Sequence, residues 1–247
     1  MSTNNPVIAL AGNPNVGKTT LFNALTGSRQ VVGNWPGVTV EHKQGYYLYQ
    51  GKRYEVIDLP GIYSLSGGTP DELVARDFIL HNKPDLVINI VDSSNLERNL
   101  YLSVQLMELG APMLMLLSMC DITARNGIRV DENHLSSHVG VPVLPATLNH
   151  GFDSSDLLES IAATLKASPR PAVIRYDEVV EKALERISAK LQQGANKDVQ
   201  NSIRWQALKL LEKDNAVDLK LSDDTAILIE KEIKAIEKHR GQASPNL

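Results

Sequence analysis

GNPNVGKTT, residues 12–20, is the stretch that decides the fold. The residues before it, Val7-Ile8-Ala9-Leu10-Ala11, form an apolar run that reads as a buried strand. Those after it, Leu21-Phe22-Asn23-Ala24-Leu25, continue a helical pattern that Gly27 stops. Residues 12–19 match GxxxxGK[ST] in full, between a strand and a helix, where the motif's mechanism requires it. Glycines let the backbone curl so that successive N–H groups face a phosphate chain. The helix N-terminus behind them favours the same negative charge. Asn13, Pro14, Asn15, Val16, Gly17, Lys18, Thr19 and Thr20 are therefore the expected phosphate-binding residues. Lys18 would reach the β- and γ-phosphates, and Thr19 would offer its hydroxyl to Mg2+. A glycine-rich turn with a chance match is the plain alternative, and the flanking strand and helix count against it.

A second element follows at the right distance. Asp58-Leu-Pro-Gly61 ends a strand. A carboxylate there can hold Mg2+, and Gly61 can give its N–H to a γ-phosphate. Between the two lies Gly33-Asn34-Trp35-Pro36-Gly37-Val38-Thr39, too long and too polar for core. Thr39 is the candidate to join Mg2+ when the γ-phosphate is present. A loop ordered by that phosphate and released on hydrolysis is a switch.

Working outward, apolar runs alternate with helical segments. Strands are expected at 7–11, 46–49, 54–58, 86–92, 113–118 and 141–146, with Gln50-Gly51-Lys52 as a hairpin turn. Helices are expected at 18–26, 95–109, 132–139 and 154–165. This alternation implies a mostly parallel, six-stranded α/β sheet. After Ser168-Pro-Arg-Pro171 the pattern changes to helices only, at 177–191, 199–212 and 223–239. Ile203, Ala207, Leu210 and Leu211 share one face, as do Ile229, Ile233 and Ile236.

Composition sets limits. A net charge of −4 argues against a protein that coats nucleic acid. One cysteine, Cys120, excludes an intrachain disulfide and a thiolate zinc site. The sequence has no run of roughly 18 apolar residues, the length needed to span a membrane, and the first residues, MSTNNPV, lack a signal-peptide pattern, so a cytoplasmic location is expected.

Three stretches carry a family resemblance: "GNPNVGKTTLFNALTGSRQVVGNWPGVTVEHKQG", "VIDLPGIYSL" and "INIVDSSNLERNLYLSVQLMELG". The chain resembles translation-factor-class small GTPases, and among them the N-terminal cytoplasmic region of the ferrous iron transport protein B family. The resemblance covers residues 6–165 strongly, and the later helices in position and type. It implies a Ras-like P-loop GTPase domain at 1–167, a linker at 168–172 and a helical regulatory or spacer domain at 173–241. A tail at 242–247 would lead toward a membrane transport domain of an inner-membrane protein. Small cytoplasmic regulators and a homo-oligomer are further partners left open, and nucleic acid is not expected.

The resemblance also implies a mechanism. Ras-like proteins place a glutamine after the DxxG glycine; here Ile62 and Tyr63 follow, and neither can orient a hydrolytic water. Instead a K+ ion would sit against the phosphates, with Asn15 as a ligand and the carbonyls of Gly33 and Trp35 completing the site. Such a cation neutralises charge developing at the β–γ bridge. The expected catalytic residues are Lys18, Asn15, Thr39 and Gly61. The plain reading of Asn15 is a turn-former.

For the base, family members carry NxxD where this chain has Ser118-Met119-Cys120-Asp121. Asp121 can accept from guanine N1–H and N2–H2, a pair adenine lacks. Ser118 has no amide to brace base or loop, so weaker nucleotide binding is expected. Ala146 and Thr147 are assigned to the next base-contacting loop, 146–150. Asp71, Glu72 and Asp77 read as acids near a helix start, and His134 and His138 lack a third metal ligand. The alternative to a transporter-linked GTPase is a soluble GTPase of ribosome assembly or tRNA modification.

Overall fold

The computed structural model describes residues 5–148, 154–193, 203–214 and 221–241. The chain divides into two compact units, Met1–Ala172 and Val173–Leu247.

The first unit is a seven-stranded sheet with helices. Its strands are β1 (Val7–Gly12), β2 (Gln30–Asn34), β3 (Glu41–Tyr49), β4 (Lys52–Asp58), β5 (Leu86–Asp92), β6 (Met113–Ser118) and β7 (Val143–Pro145). They lie in the order β2-β3-β4-β1-β5-β6-β7. β1 pairs parallel with β4 and β5, and β5, β6 and β7 continue in parallel, while β3 is antiparallel to both neighbours. Central strands of such a sheet are covered on both faces, which is why LVINIVD and MLMLLS are apolar but for their last residues and the buried Asn89, whose amide donates to Ser103 Oγ. The β3–β4 hairpin turns through Gln50 and Gly51, both at positive φ. Tyr47 and Tyr54 face each other across it, stacked at 4.9 Å.

The sheet has one strand more than the sequence reading, which expected no strand between 11 and 46 and placed Gly33 and Asn34 in a loop. β2 exposes all five of its residues and is held by pairing with β3 alone. Its partner begins at Glu41 rather than Tyr46, so the two form a hairpin, Gln30↔Gly45 to Asn34↔Glu41. Residues 36–39 are the turn at its tip.

The helices of this unit are α1 (Lys18–Thr26), α2 (Pro70–Asp77), α3 (Leu96–Glu108), α4 (Cys120–Arg125), α5 (Glu132–Val139) and α6 (Ser155–Ala167). A wide π-type turn, Phe78–Asn82, follows α2, and a tight 3-10 turn, Ser93–Asn95, precedes α3. α1 buries Leu21, Phe22 and Leu25 against β1, β4 and β5 through a core that includes Ile8, Leu10, Val56 and Ile88. Fully burying such a side chain is worth about 1.5–3 kcal/mol.

The second unit holds α7 (Glu178–Gln192), α8 (Ile203–Leu211) and α9 (Asp223–Arg240). The expected start of α8, residues 199–202, lies outside the described residues, as do the tail at 242–247 and residues 149–150. Val180, Ala183, Leu184 and Ile187 pack with Ala207, Leu208 and Leu211 and with Ile229, Ile233 and Ile236, at helical spacing on each element. Ionic ties surround this core. Arg204 reaches both Glu181 carboxylate oxygens, at 2.7 and 3.0 Å, and the Ile174 carbonyl at 2.8 Å. Arg186 meets Glu232, and the buried Lys209 meets Glu212 at 2.7 Å. Among the described residues, no helix is long and apolar enough to cross a membrane.

Candidate nucleotide site

The sheet order reverses at β1: the chain passes from β1 to the β2–β4 side, then returns to β5 on the other. Such switch points open a crevice at the carboxyl ends of the strands. A cavity of about 450 Å³ lies there. Its walls are residues 13–20, then Ser118, Met119, Asp121 and Ile122, then Thr147 and Leu148.

Local sequence explains the phosphate wall. Gly12 lies so close to β5 that a Cβ would come within 2.6 Å of the Ile90 carbonyl. Gly17 has φ +96°, and a Cβ there would meet Leu148 Cδ1 at 2.9 Å. α2, α5, α7 and α9 each begin with a side chain that accepts a first-turn N–H: Thr69, Asp131, Asp177 and Ser222. α1 has no such cap and no acidic residue in its first turn. Its first-turn residues Lys18, Thr19 and Thr20 line the cavity, where the N–H groups of a helix start suit an anion. Asn13 is buried there, and its Oδ1 has no protein partner.

Lys18 does not point freely into the cavity. Its Nζ lies 2.9 Å from Asp58 Oδ1, and the two side chains are only 11% and 5% exposed. The lysine of the first motif and the aspartate of the second thus neutralise each other. Gly61 packs against Pro14, where an added Cβ would sit 3.1 Å from its Cα. Ile62 is buried and its N–H donates to the Gly12 carbonyl, while Tyr63 is exposed beneath the Arg98 guanidinium.

Several expected site residues stand elsewhere. None of Gly33, Asn34, Trp35, Pro36, Gly37, Val38 or Thr39 lines the cavity. Gly33 and Asn34 belong to β2, and the Trp35 carbonyl accepts from Val38 N–H. The Trp35 ring packs on His42 at 4.3 Å and edge-on to Phe78 at 5.5 Å. Burial holds the His42 imidazole below its ordinary pKa. Ala146 is part of the core, whereas Thr147 beside it reaches the cavity. Asn15 has φ +66°, a backbone that asparagine tolerates better than most residues. Among the acids after DxxG, Glu72 accepts from Ser64 Oγ and Gly68 N–H, and Asp77 pairs with Arg76.

At the base end, Asp121 lines the cavity and pairs loosely with Arg125 at 3.6 Å across a surface turn. Ser118 is buried, and its hydroxyl donates to the Val91 carbonyl at 3.4 Å. Ile122 is a cavity residue that sequence reasoning missed, and Leu148 lay within the expected base-contacting loop without a role of its own, since an apolar side chain at a loop carries no chemical signature.

The family model for ferrous iron transport protein B matches residues 6–161, and that for the FeoB cytosolic helical domain matches residues 176–246. The chain belongs to the ferrous iron transport protein B (FeoB) family. Its first unit is the family's GTPase domain. The Fe(2+) transporter FeoB of Methanocaldococcus jannaschii is 42% identical over 211 residues, covering 85% of this chain and 31% of that one. The Escherichia coli K12 FeoB is 52% identical over 148 residues, covering 58% and 19%. The chain thus spans less than a third of the length of these FeoB relatives. An S. thermophilus NFeoB mutant bound to GDP superposes with a TM-score of 0.87 at 40% identity, covering 96% of this chain and 92% of that one. The cytosolic domain of L. pneumophila FeoB gives 0.78 at 32% identity, covering 94% and 98%.

Proposed function

We propose that this chain is a Mg2+-dependent, K+-activated GTP-hydrolysing switch that regulates ferrous-iron uptake through a covalently continuous membrane transport domain. The observation that carries the nucleotide reading is the uncapped start of α1, wrapped by residues 13–20 and facing Asp121 across one cavity. Relatives named Fe(2+) transporter support the link to iron uptake, and a neighbour solved with GDP supports a guanine nucleotide; the Mg2+ and K+ roles rest on the residues named below and on the family resemblance.

In this reading the backbone N–H groups of residues 13–20 hold the phosphates. Lys18 leaves Asp58 for the β- and γ-phosphate oxygens. The freed Asp58 carboxylate, with the Thr19 and Thr39 hydroxyls, would hold Mg2+, which neutralises phosphate charge. Asn15 and the carbonyls of Gly33 and Trp35 would hold K+, which adds positive charge where the β–γ bridge becomes negative. Both carbonyls sit in the β2–β3 hairpin, so this arrangement requires the hairpin to rearrange. Gly61 gives its N–H to the γ-phosphate. Water attacks the γ-phosphorus, the β–γ bridging bond breaks, and GDP and phosphate leave. The helical unit is a regulatory spacer between this switch and the transporter.

Competition against a fluorescent GDP analogue tests base choice. GDP should displace it far better than ADP or XDP. Equal displacement by ADP would overturn guanine selection by Asp121. Hydrolysis in K+ against Na+ tests activation. Asn15→Ala should lose K+ stimulation while retaining nucleotide, and Asn15→Gly controls for the cost of alanine at positive φ, about 1 kcal/mol. Stimulation equal to wild type in both would remove Asn15 from the ion site.

A further inference from the structure

Three buried hydroxyls, on Ser93, Ser118 and Thr123, cluster beneath the base-facing loop. Ser93 Oγ donates to the Ser118 carbonyl at 2.7 Å and lies 2.6 Å from Thr123 Oγ1. Thr123 Oγ1 donates to the Met119 carbonyl at 3.0 Å. With one proton each, the two hydroxyls fill two of these three contacts at a time, whichever donates across the Ser93–Thr123 contact giving up its carbonyl; in either arrangement they bear on the two peptide groups that lead into Cys120-Asp121. Ser118's own hydroxyl faces the other way, toward the Val91 carbonyl.

The loop needs holding. Met119 has φ +59°, a left-handed conformation that is unfavourable for a residue with a Cβ. Asp121, two residues on, stands in the first turn of the six-residue α4. A small rotation of peptide 118–119 would swing its carboxylate away from a base edge. Ser93 is itself anchored. Asp92 Oδ1 accepts from Ser94 N–H and Oγ, and Asn99 Oδ1 accepts from Asp92 N–H while its Nδ2 donates to the Asn95 carbonyl. The stretch Asp92-Ser-Ser-Asn95 is therefore a fixed platform at the end of β5 from which one hydroxyl reaches the next strand's loop.

We infer that Ser93, acting with Thr123 on the Ser118 and Met119 carbonyls, is a positioning residue for guanine recognition, doing through backbone bracing what Ser118 is too short to do. This rests on the guanine-nucleotide reading above. The hydroxyls touch no ligand; they set where Asp121 stands. A bidentate contact with N1–H and N2–H2 is sensitive to that placement, because buried polar groups left unpaired penalise a misfit strongly.

The test compares wild type, Ser93→Ala, Thr123→Val and Ser93→Thr. Dissociation constants are measured for GDP, for IDP, which lacks the 2-amino group, and for ADP, with a thermal melt for each variant. Wild type should bind GDP in preference to IDP and IDP in preference to ADP. Ser93→Ala should bind GDP about tenfold more weakly, IDP less affected and ADP unchanged, so the GDP/IDP ratio collapses. Thr123→Val, which keeps the volume, should narrow the ratio in the same way. Ser93→Thr should restore it. A purely structural serine would shift the melt and all three nucleotides alike. If Ser93→Ala or Thr123→Val folds and keeps the wild-type GDP/IDP ratio, the inference falls while the guanine reading stands. If wild type itself does not distinguish GDP from ADP, both fall.

Discussion

Replacing Asp58 by Asn tests the link between the two phosphate motifs. The amide keeps the shape and one hydrogen bond to Lys18 but removes the charge 2.9 Å from its ammonium. Taking one member from a buried pair costs about 3–5 kcal/mol because the other charge is left uncompensated. Lys18 is 11% exposed beside an open cavity, so water reaches it and the lower end applies, about 3 kcal/mol. For a unit of this size that corresponds to a melting temperature lower by roughly 6–12 °C. A bound phosphate chain supplies the missing negative charge. Saturating GDP in EDTA should therefore rescue most of the loss and raise the melting temperature of Asp58→Asn by more than that of wild type. The assay is differential scanning fluorimetry of both proteins with and without GDP, free of Mg2+. A deficit of the same size with and without GDP would refute the reasoning, as would no deficit at all.

Phe78→Ala removes the edge contact to Trp35 and a buried ring. It should cost about 3 kcal/mol and red-shift Trp35 emission in a Trp205→Phe background; unchanged emission would mean that the hairpin does not depend on Phe78. Gly45→Ala puts a Cβ within 2.6 Å of Thr26 Cγ2 and 2.8 Å of the Arg29 carbonyl, an overpacking worth about 1–3 kcal/mol by chemical denaturation. Arg204→Met strips Glu181 of two charge-assisted hydrogen bonds and should lower the stability of the helical unit by about 2 kcal/mol. Hydrogen bonds from the Arg240 side chain and Val180 N–H hold the Asp177 carboxyl below the ordinary range. Its contribution is present above its unfolded-state pKa and is lost as pH falls through the lower, folded-state value, so Asp177→Asn should flatten the acid limb of the helical unit's pH–stability curve.

How much of this was legible in the sequence differs from element to element. β1, residues 12–20 and α1 follow from local chemistry: an apolar run, glycines where a Cβ would collide, and a helix start without a cap. β5 and β6 were readable because a strand covered on both faces needs only apolar residues. β2 was not, since QVVGN carries no alternation and is a strand only because β3 lies beside it. α4 is six residues long, too short for a helical period to show. The Lys18–Asp58 pair joins two motifs that were each found but whose contact no spacing predicts. Ser93 lies within the stretch INIVDSSNLERNLYLSVQLMELG, yet its partners lie 25 and 30 residues further along the chain, and only folding brings them together.

The edge position of β2 has a mechanical consequence. Gly33 and Asn34 belong at once to the loop that carries Thr39 and to the last two rungs of the β2–β3 ladder, Gly33↔His42 and Asn34↔Glu41. In the proposed switch, carrying Thr39 to Lys18 along with the Gly33 and Trp35 carbonyls would open these rungs from the hairpin tip. Only rim hydrogen bonds open, each worth about 1 kcal/mol net, because β2 has no second neighbour and buries none of its side chains. The core strands are not disturbed. A strand in the middle of the sheet could not move in this way without exposing apolar surface; one at the edge works as a zip fastener whose slider is the loop itself.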